Sequence, residues 1–105
     1  MATASNQRVP RAAEVLSARP QTKINEGLTL LIGGMIEDAT YTTEHLYHLD
    51  SMRKAVDYKL LMIDDYIRSA RTVSTLSEET LSKFMRSYIE LKSKVANKSV
   101  TALLK

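Results

Sequence analysis

The sequence is defined first by what it lacks. It has no cysteine and no tryptophan, so disulfide bonds and thiolate zinc sites are excluded. Both prolines, Pro10 and Pro20, stand near the start, and only 3 glycines occur in 105 residues. No run of about 18 apolar residues exists, so we expect no membrane-spanning helix. The rest is close to the globular average, with 44% hydrophobic and 26% charged residues, which predicts one small folded domain.

The formal net charge of +3 combines three parts of different sign. Residues 1–23 carry four basic residues against one acidic residue, residues 24–73 carry five against eight, and residues 74–105 carry six against three. The middle and the end are therefore electrostatically complementary. The start has no apolar secretory core, so we expect a soluble cytoplasmic protein. Mitochondrial import is the alternative, because this part is rich in alanine, serine and arginine.

The first twenty residues differ from the remainder in pattern. Pro10 and Pro20 bracket a short alanine-rich stretch that could form two helical turns but has little apolar surface to bury. This pattern predicts a flexible basic tail over 1–20, followed by a single helical hairpin domain over 21–105.

Apolar residues recur at helical spacing after Pro20. Two sets of positions seven apart, one starting at Asn25 and one at Leu28, interleave with alternating steps of 3 and 4, as in a coiled-coil seam. Eleven of their fourteen positions up to Ala70 are apolar. No alternating run indicates a strand. The pattern predicts an all-α protein whose first helix is long, over about 21–73.

A second helix is signalled by Ser77, an N-cap residue type followed by two glutamates. It is predicted over about 77–104, antiparallel to the first helix in a hairpin or coiled coil. In this pairing six layers are apolar on both sides, the outermost joining Leu49 to Ala102. A heptad stripe of aspartates on the first arm is expected to face basic residues of the second: Asp64 near Arg86, Asp57 near Lys92 or Lys94, and Asp50 near Lys98.

The two predicted arms differ in length. The second arm ends opposite Leu46, so the apolar face over 24–43 has no partner within the hairpin and should not stay in water. Either another chain covers it, or the first arm breaks near 33–43, at Gly33 and Gly34 or at the threonines that follow, and folds back as a three-helix bundle. Both alternatives are open from the sequence.

If another chain covers this face, the partner-binding residues belong to it or adjoin it. Arg53 and Lys98 would share one layer, where an acidic side chain from a partner could enter. Tyr41 and Tyr47 suit a partly wet interface. The predicted partner-binding residues are Leu28, Leu31, Ile32, Met35, Ile36, Ala39, Tyr41, Tyr47, Arg53 and Lys98.

Catalytic and metal-binding patterns are weak. His45 and His48 share a helical face but supply only two strong ligands, and no glycine-rich phosphate loop follows a strand. We therefore expect no catalytic site, metal, cofactor or small-molecule substrate. The pattern favours a non-enzymatic interaction module, a small coiled-coil subunit or adaptor that binds a helical partner, itself, or both. The alternatives are a basic three-helix domain that binds nucleic acid or an anionic surface, and a helical secretion or assembly chaperone.

Overall fold

The computed structural model describes the backbone of residues 12–104 and the side chains of residues 21–101 and 103. This part of the chain forms three α-helices and no strand: α1 spans Ala12–Leu46, α2 spans Asp50–Val73 and α3 spans Glu78–Leu104. The all-α prediction is confirmed. Each helix packs against both others, so the molecule is a three-helix bundle.

The order of the helices follows from the bonds that join them. Asn25 of α1 bonds to Thr75 just before α3, and Glu44 near the end of α1 bonds to Lys94 of α3, so the two partners are 50 positions apart in both cases. A constant difference means that α1 and α3 run parallel. The intervening α2 is antiparallel to both.

The first arm does break, but not where the sequence analysis placed the break. α1 continues through Gly33, Gly34 and the threonines and ends at Leu46, and the chain turns over Tyr47–Leu49. The hydroxyls of Thr40, Thr42 and Thr43 bond to carbonyls one turn earlier, which satisfies them within the helix. With the turn at 47–49, the part of α1 from Asn25 to Leu46 is about 33 Å long and α2 is roughly 36 Å long. Because the two lengths match, each helix covers the apolar face of the other along its whole length.

The core consists of residues that the heptad pattern identifies. All six buried hydrophobic side chains of α1 and α2 belong to the two heptad sets, whereas the buried Tyr47 of the turn and Thr43 do not. The buried hydrophobic residues are Ile32, Ala39, Tyr47, Val56, Ile63, Ile67, Ala70, Leu81, Leu91 and Val95. Burial of each large aliphatic side chain contributes about 1.5–3 kcal/mol, so these layers carry most of the stability. Leu49, predicted to pair in the outermost layer, is instead exposed at the turn.

The connection between α2 and α3 agrees with the sequence analysis. α2 ends at Val73, and α3 begins at Glu78, directly after the predicted cap. The amide of Thr80 donates a hydrogen bond of 3.1 Å to the Ser77 hydroxyl, which is the geometry of an N-cap.

The predicted aspartate stripe does not pair with α3. Asp50 pairs with Arg53 and Asp64 with Arg68, both within α2. The ion pairs between helices among the described side chains are Asp38 with Lys59, Glu44 with Lys94 and Arg71 with Glu78. Two of these three pairs arise because α1 is a separate helix that packs on both others, which brings Asp38 beside α2 and Glu44 beside α3.

The predicted tail lies partly outside the described residues. Residues 1–11 are not described, whereas α1 begins at Ala12 and runs through Pro20, whose ring nitrogen has no proton to donate to the preceding turn. The flexibility predicted over 1–20 stays a prediction.

Candidate partner-binding surface

Most of the predicted partner-binding residues on α1 face the molecule's own helices. Ile32 and Ala39 are fully buried, and Leu28, Met35 and Ile36 are partly buried and pack against the core. The break at Leu46 lets α2 and α3 cover this face, which the two-helix hairpin would leave bare. These five residues are therefore not available to a partner in this conformation.

The opposite face of α1 carries exposed apolar residues together with charged ones such as Glu37. Leu30 is 77% exposed, and Tyr41 and Leu31 are also exposed. A Cβ atom added at Gly27 or Gly34 would meet nothing within 4 Å, so both glycines border open space. We call Gly27, Leu30, Leu31, Gly34 and Tyr41 the outer strip of α1. Leu31 and Tyr41 are the predicted partner-binding residues that lie on it.

The outer strip could have been found from the sequence by a second search for spacing. Gly27, Leu30, Gly34 and Tyr41 belong to one row whose steps alternate by 3 and 4, as the core positions do, but on the other side of the helix. Glu37 occupies the remaining position of this row, and Leu31 lies beside it. Leu30 was not among the predicted residues, because the stronger heptad pattern was assigned to the exposed face. Periodicity shows that two residues share a face, not whether that face is covered.

One end of the outer strip is ordered by aromatic stacking. The rings of Tyr41 and His45 stack with centroids 4.4 Å apart, and the Nδ1 atom of His45 lies 3.1 Å from the Tyr41 carbonyl oxygen. The other end borders an open depression of about 460 Å³ lined by Asn25, Glu26, Thr29 and Leu30. The strip is therefore a shaped surface with a ring at one end and a hollow at the other.

The charge beside the outer strip is negative. Glu26 and Glu37 are exposed and have no ion pair among the side chains that the structure describes, whereas Asp38 and Glu44 are paired with lysines. Lys23 is the one lysine or arginine of α1 within residues 21–46. A partner with basic groups beside its apolar face would complement this surface.

Arg53 has a different environment from the one predicted. Its Nε atom donates a 2.9 Å hydrogen bond to the Tyr47 carbonyl, and Nη1 donates one of 2.7 Å to the Asp50 carboxylate. Its guanidinium also lies over the Tyr47 ring, 5.8 Å from the centroid. Asp50 thus supplies the acidic group that was expected from a partner. Tyr47 is buried in the core, with its hydroxyl 2.6 Å from that of Ser99, and Lys98 is partly buried.

The surface of α3 carries basic residues that the structure leaves largely unpaired. Of the five described lysines and arginines of α3, only Lys94 forms an ion pair with a described side chain. Lys92 lies over the ring of Tyr88, with Nζ 5.6 Å from the centroid. The remaining three are Lys83, Arg86 and Lys98.

The described side chains contain no group of three or more histidine, aspartate or glutamate residues that could hold a metal ion. None of the helices in the described part combines the length and apolarity needed to cross a membrane. No family model matches this chain, and no curated protein or solved structure shows significant similarity to it.

Proposed function

We propose that this protein is a non-enzymatic interaction module, a small helical subunit or adaptor, which binds an amphipathic helix of a partner protein on the outer strip of α1. The observation that supports the proposal is the exposure of Leu30 and its neighbours after α2 and α3 have covered the other face of the same helix. A helix with apolar residues on two opposite faces is expected to have a second binding partner.

The glycines of the outer strip favour a helix as the partner. Gly27 and Gly34 are seven residues apart, so they lie on one face about two turns from each other. Since neither position carries a side chain and both are open, a second helix can approach α1 closely there. Leu30 and Leu31 then stand between the glycines, and Tyr41 contacts the end of the bound helix.

The partner helix is expected to carry lysine or arginine beside its apolar residues. Glu26 borders the strip and Glu37 lies in its row, and neither forms an ion pair with a described side chain, so basic groups on the partner would meet these carboxylates. Exposed pairs of this kind add about 0.2–1 kcal/mol each and fix orientation more than affinity. Binding should therefore weaken moderately as salt is raised.

The test is a comparison of variants in quantitative affinity capture, followed by titration of the captured protein. Leu30→Glu and Gly34→Glu should each weaken binding by at least about tenfold, because each places a charge or bulk in the interface. Leu61→Glu is the matched control, since Leu61 of α2 is 69% exposed and lies outside the strip. Circular dichroism should show the same helicity for all three variants. Equal binding by Leu30→Glu and the unmodified protein would contradict the proposal.

Substitution of Ile32 is unsuitable for this purpose. It is fully buried, and a carboxylate there would remain unpaired in the core and unfold the bundle. Loss of binding by such a variant would report loss of the fold.

A second candidate function is binding of nucleic acid or another polyanion by α3. It is favoured by the same finding that overturned the predicted ion pairs, because Lys83, Arg86 and Lys92 have no described acidic partner. Fluorescence anisotropy at about 0.15 M salt would detect such binding. The triple variant with glutamine at these positions should abolish it, and Lys54→Gln on α2 is the control. A chaperone role would instead appear as capture of unfolded rather than folded clients.

A further inference from the structure

The turn between α1 and α2 contains no helix-breaking residue. It consists of Tyr47, His48 and Leu49, without glycine or proline, and no described residue has positive φ. Leu49 is in an extended conformation, with φ −92° and ψ 128°, and makes no side-chain cap for α2. The local sequence therefore permits helix throughout, and the turn must be held by contacts from elsewhere in the molecule.

The heptad pattern also crosses the turn without a change of phase. Leu46, Leu49 and Arg53 continue the alternating steps of 4 and 3 that connect Ile32 and Ala39 to the core of α2. If residues 47–49 became helical, the apolar faces of α1 and α2 would form one continuous stripe along a single helix. We call the three-helix bundle with the turn at 47–49 the closed bundle. In it, the turn divides this apolar stripe at its middle.

The pairing of α1 with α2 is symmetric about the turn. Asp38 pairs with Lys59, and Asn25 bonds to Thr75 just beyond α2. In residue number, the midpoint of each pair falls at Leu49 or next to it. Two continuous helices packed antiparallel about a two-fold axis at Leu49 would therefore place each α1 on the α2 of the other chain with the same residues opposite each other. The contacts of α1 with α3 would be preserved as well, since α3 follows α2.

We propose that this chain also forms a domain-swapped dimer with a second copy of itself, in which residues 47–49 become helical and each α1 packs on α2 and α3 of the other copy. The swap loses the hydrogen bonds of Arg53 to the carbonyls of the turn, and it moves Tyr47 from its buried position beside Ser99. It gains regular helical hydrogen bonds through the former turn. It also buries Leu49, which is 44% exposed in the closed bundle and would meet its copy on the axis.

The swap is independent of the proposed partner binding. The outer strip of α1 faces away from α2 and α3 in both forms, so it stays available in the dimer. Leu30→Glu should weaken partner binding by at least about tenfold without changing the dimer fraction. Variants at the turn should change the dimer fraction without changing partner binding. Failure of one proposal therefore does not imply failure of the other.

The experiment uses the absence of cysteine in the chain. The double variant Asp38→Cys with Lys59→Cys places one thiol on α1 and one on α2 where the two helices meet. The protein is refolded at high concentration, monomer and dimer are separated by size-exclusion chromatography with light scattering, and each fraction is treated with a short bis-maleimide. The monomer should give crosslinks within one chain. The swapped dimer should give covalent dimer on a denaturing gel.

Two results would overturn the swap. One is the absence of any dimer fraction after refolding at millimolar concentration. The other is a dimer whose crosslinks all lie within single chains, which would show association through surface contacts with the turn closed.

Variants at the turn test the mechanism. Leu49→Asp gives α2 an N-cap in the closed form and places like charges on the axis of the dimer, so it should weaken dimerisation by about tenfold or more. Arg53→Met removes the bonds that hold the turn and should increase the dimer fraction. Leu61→Asp, an exposed change on α2 away from the turn, should leave it unchanged. An unchanged dimer in Leu49→Asp would contradict the proposed axis.

Discussion

The two connections of the bundle are of similar length but are held in different ways. Ser74–Ser77 joins α2 to α3 and is fixed largely by its own residues: the Ser74 hydroxyl bonds to the Ala70 carbonyl, and the Ser77 hydroxyl accepts from Thr80. Tyr47–Leu49 joins α1 to α2, and its one described side-chain hydrogen bond is not local, since it joins the hydroxyls of Tyr47 and Ser99 of α3. Its carbonyls at 47 and 48 are bonded by Arg53, which lies in the following helix. A locally encoded turn is visible in the sequence, whereas a turn held from outside is not.

Replacement of Arg53 should produce the largest change in the free energy of unfolding. Arg53→Met keeps the aliphatic stem but removes the donors to the turn, so two carbonyls lose their protein partner. We expect the free energy of unfolding to fall by about 2 kcal/mol, because hydrogen bonds from charged donors are worth roughly 1.5–3 kcal/mol and this side chain is partly solvated. Urea denaturation at micromolar concentration measures the change. Arg71→Met is the control, since its exposed ion pair to Glu78 should contribute less than about 1 kcal/mol.

Ser77→Ala should have a smaller effect on the other connection. It removes the hydroxyl that caps α3, which typically costs about 1 kcal/mol. Thermal unfolding followed by circular dichroism measures it. Ser82→Ala, at an exposed position inside α3, should be neutral or slightly stabilising. A larger loss for Ser77→Ala than for Arg53→Met would reverse the comparison.

Asn25→Ala should produce the smallest of the three changes. The Asn25 side chain donates to the Thr75 hydroxyl at 2.7 Å and accepts from the Thr75 amide at 3.0 Å, which ties the second connection to α1. Both groups are exposed, so water replaces the lost bonds and the cost should be about 0.5 kcal/mol. Amide hydrogen exchange offers a sharper measurement. Protection of the Thr75 amide should fall while that of the helix interiors is unchanged.

The sequence analysis succeeded where the determinant is local or periodic. It identified the helical class, the end of α2 at Val73, the cap at Ser77 and the heptad positions that form the core. It placed Leu49 in a buried layer, because nothing at that position indicates a turn. It assigned Ile32 and Ala39 to a partner, since a periodic apolar face is the same whether a second chain or the same chain covers it.

The candidate site illustrates the same limit. Leu31 and Tyr41 were predicted and are exposed, whereas Leu30 was not predicted and is more exposed than either. The predicted ion pairs failed because the predicted hairpin did not include α1 as a separate helix. Lys94 pairs with Glu44 of α1 and not with the aspartates of α2. Whether the outer strip binds a helix remains the proposal that the Leu30 and Leu61 variants test.

The helical class, the side chains that share a face and the position of the second connection follow from the sequence, because helical periodicity and a serine cap act over a few neighbouring residues. The number of helices, three and not two, and the apolar faces that stay exposed follow from tertiary packing. The reason lies in the turn at Tyr47–Leu49, because Tyr47 becomes buried and its hydroxyl reaches that of Ser99 only after α3 has packed beside the turn.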